Sequence, residues 1–278
     1  MLKYSLFRDL SVFFLLIYGI TWLIWSPYYA GALFPSSWHT SPVFHLAGSW
    51  GPLLASLLAT YFVNGKAGLQ ILRQRVTRTG TDPWPLTLAC FLPFVLLTFS
   101  ILISVVVNQT SFSFQGLGTS REIPGLSVPE FVGINILVIG LGEEMGWRGF
   151  VLPRLQSEMS AMKASILLSV FWAIWHWPLF FYPLSGYYHM DIFGVAGWLF
   201  SLLLGSILFT CFFNSSSGSV LVCAVFHGTM DIAFTSDFAN PNLTSYNGML
   251  ITILGFLVTQ RFGAEHLARK DRVCQYTS

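Results

Sequence analysis

Residues 131–152 read FVGINILVIGLGEEMGWRGFVL. A membrane helix needs about 20 predominantly apolar residues, and this stretch is long enough to be one. Yet Glu143, Glu144 and Arg148 stand within it. An acidic residue at the centre of a spanning helix costs roughly 2.5–3.5 kcal/mol on insertion scales. Residues placed at that cost usually face a protein-lined or watered interior and have partners there. With only 12 acids in the whole chain, a side-by-side pair here points to a functional centre inside the bilayer.

The rest of the chain supplies the surroundings of such a centre. Of its 278 residues 54% are hydrophobic and 9% charged, with 26 phenylalanines. That composition describes an all-α, polytopic membrane protein. Apolar runs fall at about 9–33, 43–64, 86–107, 131–152, 164–182, 193–213, 219–235 and 246–262, which predicts about eight transmembrane helices. With that count Lys3, Arg8, Lys66, Arg73, Arg75, Arg78, Arg154, Lys163, Arg269, Lys270 and Arg272 gather on one face, and Arg121 alone occupies a loop on the other. The positive-inside rule then puts both termini in the cytoplasm. The first run is too long for a signal-peptide core and reads as an uncleaved span. A net charge of +2 gives no reason to expect a nucleic-acid partner. Cys90, Cys211, Cys223 and Cys274 form no close-spaced pair, so they read as packing residues and not as a disulfide framework or thiolate zinc site. The chain reads as a single transmembrane domain, 1–278, with its catalytic core at about 131–235. Pro178 and Pro183 should stop or kink the fifth run. His39, His45, His189 and Asp191 read as boundary residues, with His189 and Asp191 as possible lining of an outer vestibule.

Three clusters carry chemistry. Glu144 and Arg148 are one helical turn apart in the favourable order for an ion pair, so Glu143 is the freer carboxylate, suited to acid or base work. Trp147 provides a dry wall beside it, and Gly142, Gly146 and Gly149 permit close helix approach. His176 lies late in the fifth run, within FWAIWHWP. His227 and Asp231 share one face of the seventh, where Asp231 can orient the imidazole or both can bind a metal. Taken separately, each cluster also fits structural polar packing. Taken together, the five acids and histidines supply a base, proton carriers and charge stabilisers, the parts needed for amide hydrolysis or for a proton relay.

The motifs Glu143-Glu144-x-x-x-Arg148, Trp172-x-x-x-His176 and His227-x-x-x-Asp231, in this order on apolar segments, resemble those of the CPBP family. That family comprises intramembrane proteases and includes the CAAX prenyl endopeptidases and Abi-type bacteriocin-associated proteins. The resemblance implies an intramembrane endopeptidase in the bilayer, a multi-pass protein of a bacterial plasma membrane, acting on a membrane-associated peptide or protein that can be prenylated at a CAAX end. It assigns water activation to Glu143, with Glu144 assisting or held by Arg148. It assigns contact with the water to His176, and oxyanion stabilisation to His227 and its partner. Trp172 stands where Phe is usual, which reads as a conservative aromatic change. Asp231 stands where the prenyl endopeptidases carry Asn, and an ionised Asp cannot donate to an oxyanion. The family carries a metalloprotease label, and a divalent metal such as zinc would find candidate ligands in His176, His227 and Glu143. Metal-independent activation by Glu143 is the preferred expectation. Two rivals remain at this point, a non-enzymatic immunity or scaffold protein and a proton-coupled carrier. Oligomeric state is not legible in the residues.

Overall fold

The apolar runs wind into helices, and no strand occurs among the described residues of the computed structural model, which are 2–80, 82–109, 111, 116–238 and 242–275. In chain order the principal helices are α1 (Leu2–Ile24), α2 (Pro42–Ser49), α3 (Gly51–Thr77), α4 (Trp84–Asn108), α5 (128–156), α6 (Ala161–Trp175), α7 (Ile192–Ser215), α8 (Val220–Thr235) and α9 (Asn242–Phe262). Small polar residues start them: Ser127 and Glu130 form a reciprocal capping box on α5, while Ser160, Asp191 and Ser219 cap α6, α7 and α8. α6 ends at Trp175, short of Pro178, as the sequence suggests.

Five segments of the described residues are long and apolar enough to cross a membrane: Leu6–Ile24, Pro42–Thr77, Trp84–Asn108, Ala161–Phe181 and Ile192–Ser215. This is an integral, all-helical membrane protein. α5 carries the charged cluster, α8 has 16 residues, and α9 begins with the polar run around Asn242, Thr244, Ser245 and Asn247. The count of eight spans rests on the apolar runs of the sequence, and the cytoplasmic termini on its charge pattern.

Loop contacts define two ends of the bundle. At one, Tyr182 donates to the Glu122 carbonyl, the Asp237 amide to the Thr119 carbonyl, and Asn108 to Tyr246. At the other, Gln156 and Asn214 exchange amide hydrogen bonds of 3.1 and 2.8 Å, and both reach the returning tail at Val273. Between them Phe13, Trp25, Trp147, Phe150 and Trp175 form a buried aromatic core.

α5 is not a uniform α-helix. The turns 135–140 and 147–151 are π-helical and flank the α-helical Leu141–Gly146 that bears the glutamates. Such wide turns insert a residue into the spiral and often occur at functional sites. Against α5 packs α8, and two glycines set their separation. A methyl group at Gly140 would come 2.4 Å from the Ala224 carbonyl oxygen, and one at Gly228 would come 2.6 Å from Ile136 Cα. Only hydrogen fits at either point, which lets the backbones touch and brings His227, next to Gly228, against the glutamates.

Candidate active site

Glu144, Arg148 and His227 form one buried network. Glu144 Oε1 accepts hydrogen bonds from Arg148 Nη1 at 2.9 Å and from His227 Nδ1 at 2.8 Å. Arg148 is wholly buried, its guanidinium 4.6 Å from the Trp172 ring centroid and 4.2 Å from that of Phe209. Aromatic faces supply the attraction that water would give to an exposed guanidinium. The foreseen Glu144–Arg148 pair is therefore present, and it also orients the imidazole.

That arrangement fixes the other side of His227. Its Nε2 points between two carboxylates, with Asp231 Oδ2 at 3.6 Å and Glu143 Oε1 at 4.0 Å. The residue holding the ring by hydrogen bond is Glu144, not Asp231, because Asp231 lies beyond hydrogen-bond reach. Glu143 is held separately: its Oε2 accepts a 2.8 Å hydrogen bond from the indole Nε1 of Trp172. The Trp-for-Phe exchange thus changes the chemistry at this carboxylate, since phenylalanine has no donor.

His176 caps the end of α6 and stands apart from this network. Its Nδ1 lies 2.8 Å from the Trp172 carbonyl. A carbonyl only accepts, so Nδ1 carries the hydrogen. The ring lies against Tyr187 and Trp198, with centroids 5.6 and 5.9 Å away. Glu143, His176, His227 and Asp231 all line one cavity of about 1350 Å³. Among the described residues no three His, Cys, Asp or Glu side chains are placed to hold a metal ion together.

Other lining residues escaped the sequence reading. His45 is buried, stacks on Trp25 and Tyr182, and lines the cavity, whereas its position suggested only a membrane boundary. Glu122 and Tyr187 also line it. Glu122 Oε1 accepts from the Gly186 amide at 2.7 Å, joining two loops at the rim. Burial pushes this carboxyl up to about 7, against the lowering effect of that hydrogen bond and with Asp231 raising it further. No spacing marked these residues, because short helix α2 and the segments between the long helices bring them in from distant parts of the chain. His189 and Asp191 do line the vestibule.

The acid–imidazole cluster stands on the wall of a large cavity inside an integral membrane protein. Residues 126–233, which hold all three motifs, match the family model described as Type II CAAX prenyl endopeptidase Rce1-like. The chain is also 27% identical over 233 residues to CAAX prenyl protease 2 of Methanococcus maripaludis, covering 78% of this chain and 80% of that protein. The resemblance carried by the motifs is borne out by these two matches.

Proposed function

We propose that the protein is an intramembrane endopeptidase in which Glu143 activates a water molecule without a metal. The observation that carries this is the pairing of Glu143 Oε1 with His227 Nε2 across 4.0 Å on the cavity wall. A water between them can lose a proton to Glu143 as it attacks a peptide carbonyl. His227 is held by Glu144 through Nδ1, so its Nε2–H meets the oxygen on which negative charge develops. The proton on Glu143 then passes to the departing amide nitrogen. Asp231, near the same Nε2, favours the charged imidazolium and does not need to donate to the oxyanion. His176, on the lining of the same cavity, would present Nε2 to the water or to the substrate backbone.

The substrate is a membrane-associated peptide or protein segment. The relative's name speaks of a CAAX prenyl protease, so a peptide ending in a lipid-bearing cysteine is the first substrate to offer. The test compares peptide termini in membranes carrying wild type or Glu143→Gln, at matched folded levels, and repeats any difference with purified protein. Cleavage that depends on Glu143 and survives exhaustive chelation supports this reading. Cleavage abolished by chelation and restored by zinc would replace it with metal activation, and identical termini in a demonstrably functional strain would favour the scaffold role.

A further inference from the structure

At the end of the bundle opposite the cavity rim, Arg78 from the α3–α4 loop and Lys270 from the tail converge on one serine. Arg78 Nη1 donates to the Ser217 carbonyl at 2.8 Å, and Lys270 Nζ to the Ser217 hydroxyl at 3.1 Å. No carboxylate forms an ion pair with either cation among the described residues. Nearby Arg75 is buried and donates to carbonyls alone, those of Gly149, Cys274 and Gln275. Arg78 and Lys270 line a pocket of about 240 Å³ with Asn214, Ser217, Asp271, Arg272 and Val273. Arg272 is matched by Glu265. Asp271 is almost wholly solvent-exposed and faces His266 Nε2 at 3.7 Å.

Two further features fit the same pocket. Ser217 has φ of 57°, a left-handed conformation uncommon for a residue with a side chain. Non-glycine residues held in such conformations cluster at functional sites. Three residues on, α8 begins, and its positive dipole end adds to the cations. Like charges held together without a counter-charge are unfavourable unless an anion joins them.

We infer that this pocket is a phosphate-binding site that takes a phosphate mono- or diester between Arg78 and Lys270. Basic pockets between helices at a membrane face bind anionic lipid headgroups by this chemistry, and a soluble phosphate would be recognised by the same two groups. The site is independent of the protease reading.

The test follows thermal unfolding of the full-length protein, purified in neutral detergent. Inorganic phosphate is compared with chloride at equal ionic strength, and phosphatidylglycerol with phosphatidylcholine in mixed micelles. Ligand that binds only the folded state raises the midpoint, here by about 2–4 °C for a chain of this size. A rise with phosphatidylglycerol alone identifies a lipid headgroup, and a rise with inorganic phosphate as well identifies a site open to soluble phosphate. Either rise must vanish in Arg78→Gln/Lys270→Gln and shrink in Lys270→Gln, which keeps the Arg78 bond to the backbone and so should fold. No rise in wild type, or an equal rise in Lys270→Gln, would overturn the proposal.

Discussion

The indole of Trp172 and the carboxylate of Glu143 share a 2.8 Å hydrogen bond between buried groups on different helices. It fixes Oε2 and leaves Oε1 directed at His227. A hydrogen bond to a charged group contributes about 1.5–3 kcal/mol. Trp172→Phe keeps the aromatic wall and removes the donor. If Glu143 is the base, kcat should fall about 10- to 100-fold with KM within about twofold. Steady-state kinetics on any cleaved peptide checks this, and an unchanged kcat would make the hydrogen bond incidental.

The two adjacent glutamates should fail differently. Glu143→Gln should fold normally and lose most activity, since positioned bases contribute about 10²–10⁴ in rate. Glu144→Gln leaves Arg148 buried without its counter-charge and releases His227. Breaking a buried pair this way costs about 3–5 kcal/mol, so this variant should show a lowered unfolding midpoint as well as lost activity. Parallel melting and cleavage assays separate the two cases. A strongly destabilised Glu143→Gln would instead favour the packing role.

Close approach of α5 and α8 is what brings His227 to Glu144. Gly228→Ala places a methyl group 2.6 Å from Ile136 Cα, and the helices must part. Overpacking of this kind costs about 1–3 kcal/mol, and the 2.8 Å His227–Glu144 contact should lengthen. Activity should drop at temperatures where circular dichroism still reports a folded protein. Wild-type activity in Gly228→Ala would show that the helix spacing is not critical.

Glu122 gives a pH signature. Burial raises its carboxyl from an ordinary 4.5 to about 7 in the folded protein. The folded state therefore holds a proton that the unfolded chain releases, and stability falls as pH rises from about 4.5 to about 7, then levels off. Glu122→Gln can still accept from Gly186 and cannot ionise. Its unfolding midpoint relative to wild type should rise across that window and run parallel above it. A constant difference across the window would place the pH dependence elsewhere.

Much of this centre could be read from one-dimensional spacing. Glu144 and Arg148 pair because they are one turn apart, and Pro178 ends α6 near where it was expected. What stayed hidden depends on contacts between distant segments. Spacing within α8 suggested Asp231 as the partner of His227, but Glu144, 83 positions away, makes the hydrogen bond. Trp172 looked like a neutral exchange because its indole donor matters only once α6 lies beside α5. His45 and Glu122 gave no periodic signal, since a short helix and a loop carry them to the cavity. The π-helical turns of α5 leave no mark that helical periodicity can detect.

The cavity rim, with Glu122, His189 and Asp191, and the lysine- and arginine-rich floor lie at opposite ends of one bundle. A polypeptide reaching Glu143 through the rim therefore arrives from the end away from the basic floor. Were the basic floor cytoplasmic, as the charge pattern predicts, the rim would open on the far side of the membrane. A substrate would then enter from that compartment or laterally from its leaflet. A lipidated tail made in the cytoplasm would have to be translocated before it could be cut.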